Sequence, residues 1–144
     1  MGNSNNKVRE QMLHTWVQFD GIVRMMMSSN ELTYQEICIC NLIENAEKPM
    51  TATMLCEKLF MHKSQMNRTL NRLEDKGIII RVRSETDKRM MYLKLNKEYP
   101  DEYSKLHRKA LSVIDAIIKG VGLERVIETN RALQELVDAF EDVY

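Results

Sequence analysis

The sequence contains no apolar run long enough to cross a membrane. Its longer runs, such as residues 37–40 and 77–80, fall far short of the roughly 20 residues that a spanning helix needs. The first seven residues are polar and lack the apolar core of a signal peptide, and Asn6 stands where a myristoylation motif requires Ser or Thr. We therefore expect a cytoplasmic protein without membrane attachment.

Cysteine is also scarce. Cys38, Cys40 and Cys56 are an odd number of thiols, and none belongs to a C-x-x-C pair. Helical residues two positions apart point about 200° apart, so Cys38 and Cys40 cannot bind one metal ion from one helix face. The three histidines form no local motif either. We expect a reducing compartment, no metal, no cofactor, and cysteines that serve as small buried hydrophobic residues.

Catalytic arrangements are missing as well. No nucleophile stands beside a base, and no pair of carboxylates has the spacing of an acid and base pair, so an enzyme is not expected. The chain also lacks internal repeats, low-complexity segments and flexible linkers. Its 144 residues suit a single compact domain spanning residues 1–144.

The charge of the chain is unevenly distributed, although it sums to zero. Residues 51–95 carry ten basic and five acidic residues, a net charge of +5. Residues 1–50 carry four basic and six acidic residues, a net charge of −2, and residues 96–144 carry seven and ten, a net charge of −3. A basic middle between acidic ends indicates one surface that faces a polyanion.

The stretch 63–77 predicts an amphipathic helix with an unusual polar face. Met66, Leu70 and Leu73 recur at the spacing of one helical stripe. The rest of the helix carries hydroxyl, amide and guanidinium groups from Ser64, Gln65, Asn67, Arg68, Asn71 and Arg72. No carboxylate precedes Glu74, whereas a solvated helix face usually mixes both charges. Side chains of these types read base edges and bind phosphates in nucleic acids.

Three further helices are predicted before this stretch. Residues 7–28 repeat apolar side chains every three or four positions. Thr33 followed by Glu36 has the pattern of a capping box and predicts the start of a second helix. Thr51 or Thr53 caps a third helix, directly before the polar-faced one. Two helices joined by a tight turn, the second with a polar outer face, have the order of a helix-turn-helix motif.

Two segments with β-strand character follow. Residues 78–83 are rich in β-branched side chains, residues 89–95 alternate in polarity, and the polar residues 84–88 connect them. Gly77, just before them, suits the left-handed conformation that ends a helix. The predicted fold class is therefore mainly α with a small β-hairpin wing, a winged helix-turn-helix within residues 31–95.

Residues 98–144 predict helices that extend beyond this winged helix. Residues 99–101 suit a helix start, and residues 120–122 interrupt the helical pattern before a last helix over 123–143. Together with residues 7–28, these helices carry more apolar surface than a small winged helix needs to close its core. We expect them to be dimerisation helices whose surplus apolar surface is buried against a second copy of the chain.

The pattern over residues 63–79, with Arg81 beyond it, resembles the recognition helix and exit strand of the MarR family of bacterial transcriptional regulators. Residues 87–89, Asp-Lys-Arg, match the D-x-R motif of that family's wing, and the order of elements is similar over nearly the whole chain. The resemblance implies an obligate homodimer on a pseudo-palindromic DNA operator, released by a small ligand or an oxidant. One departure follows the wing: the family often has L-T-x-x-G where residues 95–99 read L-N-K-E-Y.

The resemblance and the side-chain types together predict a role for individual residues. We predict contacts with double-stranded DNA by Thr51, Thr53, Lys63, Ser64, Gln65, Asn67, Arg68, Asn71, Arg72, Arg83, Lys88 and Arg89. Among these, the phosphate contacts are assigned to Thr51, Thr53, Lys63 and Arg72. Gln65 and Asn67 suit adenine edges, and Arg68 suits guanine or a phosphate. Arg89 suits the narrow minor groove, whereas Asp87 pairs with a nearby arginine and fixes the wing tip.

Three hypotheses of function remain open. The leading one is a homodimeric repressor released from its operator by a small apolar or aromatic effector. We place the effector pocket at Met12, Trp16 and Met26, with plain core filling as the simpler alternative. The second hypothesis is a redox sensor, which requires an exposed cysteine of low pKa. The third is a winged helix that binds protein and not DNA, and the basic charge of residues 51–95 argues against it.

Overall fold

The structure is a computed structural model that describes residues 2–98 and 102–144. Its elements follow in the order α1 (Gly2–Met26), α2 (Tyr34–Glu44), α3 (Ala52–Leu59), α4 (Lys63–Asp75), β1 (Ile79–Arg83), β2 (Met91–Leu95), α5 (Glu102–Val121) and α6 (Leu123–Val143). The predicted fold class, mainly α with a small β-hairpin wing, is confirmed. The predicted helix start at residues 99–101 lies outside the described residues.

Helix α1 begins five residues before the predicted start at residue 7. Residues 2–6 are Gly, Asn, Ser, Asn and Asn, which carry no apolar periodicity from which the helix start could be recognised. At the other end the helix stops at Met26 and not at the predicted residue 28. There the hydroxyl of Ser28 donates to the carbonyl of Met25 at 3.0 Å, an alternative to helical bonding typical of serine. No residue of α1 is buried.

Threonine side chains cap α2 and α3 as the sequence predicts. The hydroxyl of Thr33 accepts the backbone N–H of Glu36 at 3.2 Å. Thr51, and not Thr53, is the N-cap of α3, and it accepts the N–H three residues further on at 3.2 Å. The expected capping box is modified, because the carboxylate of Glu36 is instead ion-paired with Lys76 at 2.9 Å.

Residues in the left-handed conformation flank α4 on both sides. Gly77 ends the helix region with φ of 73°, as predicted. Phe60, in the turn between α3 and α4, has φ of 52° and donates its N–H to the carbonyl of Cys56. Residues other than Gly, Asn, Asp and His rarely adopt this conformation, since the Cβ atom is crowded there. The turn therefore places α4 through a backbone geometry that phenylalanine adopts only at a cost.

The wing is a two-stranded antiparallel hairpin. Its register places Ile79 opposite Leu95 and Arg83 opposite Met91, so residues 84–90 form the tip. This agrees with the predicted hairpin, except that the first strand begins one residue later and the second strand two residues later than expected.

The base of the wing is tied to the rest of the winged helix by backbone bonds. The N–H of Leu93 donates to the carbonyl of Met50 at 2.8 Å, which adds a one-residue bridge to β2. Asn96 donates its backbone N–H to the carbonyl of Ile78 at 2.8 Å and its side-chain amide to that of Gly77 at 3.0 Å. These bonds fix where the hairpin leaves α4.

The apolar core lies entirely within the winged helix and the start of α5. Its buried residues are Leu32, Ile37, Ile39, Cys40, Ile43, Met50, Leu55, Met66, Leu70, Leu73, Ile78, Ile79, Leu93, Tyr103 and Leu106. The predicted stripe of Met66, Leu70 and Leu73 is confirmed as part of the buried face of α4. Burying this stripe, together with Thr69, leaves Lys63, Ser64, Asn67 and Arg68 exposed on the other side of α4.

Gly122 alone separates α5 from α6. The predicted interruption over residues 120–122 is wrong for Gly120 and Val121, which remain helical, because a helix tolerates glycine at moderate cost. Gly122 has φ of 102°, which only glycine adopts readily. Contacts divide the chain into one unit that ends at His107 and a second that begins at Arg108.

Helix α6 resembles α1 in that none of its residues is buried. Apolar side chains at Leu136, Val137 and Phe140 are each more than two-fifths exposed. Within the described ranges, no helix is both long and apolar enough to cross a membrane.

Candidate nucleic-acid interface

Four polar residues in the first half of α4 are exposed: Lys63, Ser64, Asn67 and Arg68. Within residues 2–98 and 102–144, none of their side chains has a hydrogen-bond or ion-pair partner. They lie away from the buried side of the helix that contains Met66. Their donors and acceptors are therefore free to meet a ligand, and their chemistry suits base edges and phosphates.

Two other predicted contact residues are held by neighbouring side chains. The amide of Gln65 donates to the side-chain oxygen of Gln35 on α2 at 3.1 Å. The side-chain oxygen of Asn71 accepts the guanidinium of Arg81 on β1 at 2.9 Å, and Arg81 also lies 3.9 Å from the carboxylate of Glu74. Gln65 and Asn71 thus keep only part of their bonding capacity for a ligand.

A buried carboxylate aligns the second half of α4 on α2. Glu36 is only 1% exposed, and its carboxylate lies 2.9 Å from the ammonium of Lys76 and 3.8 Å from the guanidinium of Arg72. Lys76 also donates to the backbone carbonyl of Glu31 at 2.8 Å. A buried charge needs such partners, since an unpaired one is costly. Arg72, predicted as a phosphate ligand, is half-exposed between this carboxylate and solvent.

The start of α3 offers a second set of polar groups. Thr51 is half-buried, and its hydroxyl oxygen already accepts the capping bond, so only its O–H proton remains to be donated. Thr53, one residue into the helix, is exposed. Helix N-termini carry partial positive charge and suit phosphate oxygens. The phosphate contacts assigned to both threonines stay predictions.

Short polar bonds organise the tip of the wing. The hydroxyl of Ser84, which is buried, accepts the backbone N–H of Asp87 at 3.2 Å and lies 3.1 Å from the hydroxyl of Thr86. The backbones of Ser84 and Met90 are joined by a bond of 2.9 Å, and the N–H of Met90 donates to the carbonyl of Asp87 at 3.0 Å. These hydrogen bonds give the tip a defined turn.

Three cations surround this turn. The carboxylate of Asp87 accepts the backbone N–H of Arg89 at 3.1 Å and its guanidinium at 3.5 Å, so the predicted pairing with an arginine is present. The side chain of Arg89 is nevertheless 94% exposed. Arg83 donates to the backbone carbonyl of Lys88, whose own side chain is exposed. Arg83 therefore closes the tip, while Lys88 and Arg89 extend from it.

Three residues orient this surface through contacts that the sequence analysis did not predict: Gln35, Glu36 and Arg81. For Glu36 a signal existed, because it falls on the buried stripe of α2 with Cys40 and Ile43, where a carboxylate needs a cation. No local pattern predicted that Gln35 would bond to Gln65 or that Arg81 would bond to Asn71. Their partners stand 30 and 10 positions away in sequence, and only the fold brings them together.

The residues proposed for an effector pocket all lie on α1. Met12 and Met26 are half-buried, and the side chain of Trp16 is 45% exposed. Met12 and Trp16 are four positions apart and share one helix face. The pocket stays a prediction, supported by apolar side chains that are at least partly accessible.

The cysteines lie where the sequence placed them, on helices. Cys40 is buried, and Cys38 and Cys56 are half-buried, all as free thiols. Burial raises the pKa of the Cys38 thiol, and a hydrogen bond with Tyr34 together with the charge of Arg24 offsets this only in part. A raised pKa leaves less thiolate at neutral pH, and the thiolate is the reactive form.

Histidine contacts give no indication of a metal centre. The ring of His107 stacks on that of Tyr103 at 5.7 Å between centroids and lies 3.7 Å from the carboxylate of Glu44. In the part of the chain that the structure describes, no three His, Cys, Asp or Glu side chains are grouped to hold a metal ion.

Comparison with known proteins places this geometry in context. Residues 31–90 match a family model described as the MarR family. Solved structures similar to this chain include FabT of Streptococcus pneumoniae in complex with DNA, at 23% identity, covering 96% of this chain and 99% of that chain, with a TM-score of 0.66. A MarR family protein from Bacillus stearothermophilus is 16% identical, with 97% of each chain covered and a TM-score of 0.70. No curated protein matches the sequence.

Proposed function

We propose that this chain, whose resemblance to the MarR family is confirmed over residues 31–90, is a transcriptional regulator that binds a specific sequence of double-stranded DNA. The observation that carries the proposal is the set of partner-free polar side chains on α4, at Lys63, Ser64, Asn67 and Arg68, on a winged helix whose tip exposes Arg89. A helix of this kind enters the major groove with its first turns at the base edges. The solved FabT complex with DNA has the same fold.

Roles within the interface follow from which side chains are free. Arg68 and Asn67 have unoccupied groups suited to guanine and adenine edges, respectively. Lys63, at the first position of α4, suits a phosphate. Arg89 is almost fully exposed, and its contact among the described residues is with Asp87, so it suits the minor groove beside the site.

The chain acts as a homodimer in this proposal. Helix α1 exposes Trp16 and Phe19, and α6 exposes Leu136, Val137 and Phe140. Monomeric proteins rarely expose so many large apolar side chains along whole helices, and a second copy of the same chain would cover them. Two copies related by a two-fold axis would read two half-sites of a pseudo-palindromic operator.

A small apolar or aromatic effector releases this dimer from its operator, and the chain is then a repressor. Support for this step comes from α1, where the partly accessible side chains of Met12, Trp16 and Met26 offer adaptable apolar surface. Helix α1 also contacts α2, since the guanidinium of Arg24 lies 4.3 Å from the ring centre of Tyr34. A ligand at α1 thus has a route to the helix that aligns α4.

The redox hypothesis has less support. It requires a thiol of lowered pKa, whereas burial raises the pKa of Cys38. The hypothesis of a winged helix that binds only protein gives no role to the exposed side chains of Asn67 and Arg68 on α4.

The proposal is tested by fluorescence anisotropy on a duplex selected from a random library and on a scrambled duplex, each across a salt series. Arg68→Ala should weaken binding to the selected duplex by about 1–3 kcal/mol and change binding to the scrambled one little. Arg89→Ala should weaken both and lower the salt dependence by about one released counterion per subunit, because it removes a cation from the groove.

Arg131→Ala provides the matched control, since it removes an exposed arginine on α6, outside the proposed interface. It should leave both affinities unchanged. If the wild type shows no salt-dependent binding to any duplex, the proposal is wrong. If Arg68→Ala weakens both duplexes equally, DNA binding stands and Arg68 contacts phosphate instead of a base.

A further inference from the structure

The contact between Gln35 and Gln65 joins two helices at the point where α4 begins. Gln35 lies in the first turn of α2 and Gln65 in the first turn of α4, and both are half-buried. The amide nitrogen of Gln65 donates to the side-chain oxygen of Gln35 at 3.1 Å. Next to Gln35, the buried carboxylate of Glu36 binds Lys76 near the other end of α4. Neighbouring residues of α2 thus hold α4 at both ends.

The bond changes what Gln65 can offer to a ligand. A free glutamine amide presents two N–H donors and one carbonyl acceptor. With one N–H given to Gln35, the amide retains one donor and one acceptor side by side. Adenine presents the complementary pair in the major groove, an N6 donor beside the N7 acceptor. Guanine presents two acceptors, O6 and N7. One of them would lie against the carbonyl oxygen of Gln65, which is also an acceptor, so no hydrogen bond could form there.

We propose that Gln35 is a specificity-determining residue that never touches DNA: it holds the Gln65 amide in the orientation that accepts adenine and rejects guanine. This inference rests on the proposed function. Without Gln35, the Gln65 amide turns about its last side-chain bond and can direct both N–H groups at guanine. A residue on α2 then decides which base a residue on α4 prefers.

Three variants test this inference. Gln35→Met keeps the length of the side chain and removes its acceptor. Gln35→Glu keeps an acceptor and removes the donor. Gln65→Met removes the amide that contacts the base. Selection from random duplexes with this variant and with the wild type then identifies the base pair that Gln65 reads, because the preference at that position is lost. The readout is the ratio of affinities for duplexes with adenine and guanine at that position, which cancels any general effect of charge on binding.

The wild type should prefer adenine by on the order of tenfold or more. Gln35→Met should bring this ratio close to one. Gln35→Glu should bind both duplexes more weakly, because it adds a negative charge, yet it should keep the ratio of the wild type. In a Gln65→Met background, Gln35→Met should change the ratio no further, because the two residues act as one unit. Thermal unfolding followed by circular dichroism shows that each variant is folded.

Several outcomes would overturn the inference while DNA binding stands. The first is a Gln35→Met protein that keeps the wild-type ratio, and the second is a Gln35→Glu protein that loses it. A third is a Gln65→Met protein with the base preferences of the wild type at every position, since Gln65 then reads nothing. A wild type that selects no sequence at all would instead refute the proposed function, and the inference with it.

Discussion

The winged helix and the two terminal helices α1 and α6 differ sharply in where their apolar side chains lie. Every residue of the apolar core falls between Leu32 and Leu106, whereas α1 and α6, 25 and 21 residues long, bury none. The winged helix and the start of α5 therefore form this core from a single chain. The long helices have apolar faces that only another surface can cover. Stability should accordingly have one part that is independent of protein concentration and another that depends on it.

The largest predicted effect comes from a substitution in the exposed apolar face of α6. In Leu136→Glu, each subunit of the proposed dimer would bury an unpaired carboxylate, at a cost of about 3–5 kcal/mol for each copy. Sedimentation at micromolar concentration should give about twice the 16.9 kDa chain mass for the wild type and a single chain mass for the variant. Binding to the selected duplex should be lost with the dimer.

Asn130→Glu is the control, because it places the same charge at another exposed position of α6. It should remain dimeric. Leu70→Ala, in the core, should instead lower the free energy of unfolding by about 2–5 kcal/mol, and by the same amount at protein concentrations about a hundredfold apart. A wild type that sediments as a clean monomer would contradict the dimer.

The next largest effect concerns the buried carboxylate inside the winged helix. Lys76→Met leaves the buried carboxylate of Glu36 with one remaining ion-pair partner among the described residues, Arg72 at 3.8 Å. The free energy of unfolding, measured in urea, should therefore fall by about 3 kcal/mol. The double variant Glu36→Leu and Lys76→Met should recover most of this loss, since an apolar pair replaces the ion pair. If the single variant is as stable as the wild type, the ion pair does not align α4.

A smaller effect should appear in alkaline solution, again in the winged helix. Burial raises the pKa of Cys38 above 9.0 and that of Tyr34 from 10.0 to about 12. The folded protein keeps these protons when the unfolded chain has lost them, so it should lose stability as the pH rises above about 9. Urea midpoints measured from about pH 8 to about pH 11 test this. Cys38→Ser should remove the earliest part of the decline, and a stability that rises over this range would contradict the assignment.

For hydrogen peroxide we expect no effect on DNA binding. Burial raises the pKa of Cys38, Cys40 is buried and Cys56 is half-buried, so hydrogen peroxide should leave DNA affinity unchanged. A triple variant with Ser at positions 38, 40 and 56 should be less stable and equally indifferent to peroxide. Release of DNA by peroxide, abolished by one Cys→Ser change, would establish the redox hypothesis instead.

The sequence correctly predicted those features of the fold that depend on residues close together in the chain. Thr33 and Thr51 cap helices within three positions, and Leu70 and Leu73 lie on a stripe that any helix repeats. The hairpin follows from alternation and a polar tip. The start of α1 was missed because Asn and Ser carry no periodic signal, although they are helical here.

The sequence predicted which side chains line the candidate site, but not which of them are bonded to one another. The polar face of α4 is visible in the sequence, but nothing local distinguishes Arg68, which is free, from Arg72, which lies beside Glu36. Nor does any local pattern join Gln35 to Gln65. Such pairs depend on how α2 packs against α4, and packing depends on the whole core.

The separation of free and occupied side chains along α4 has a consequence for how such a protein changes over evolutionary time. Ser64, Asn67 and Arg68 have no partners among the described residues, so substitutions there alter what the helix meets without disturbing the fold. Lys76, by contrast, is the closer partner of the buried carboxylate of Glu36, so a change of Lys76 alone would leave that carboxylate poorly paired. If the proposed function is correct, a descendant could therefore recognise a new operator after single substitutions at Ser64, Asn67 or Arg68, while α4 keeps its position on α2.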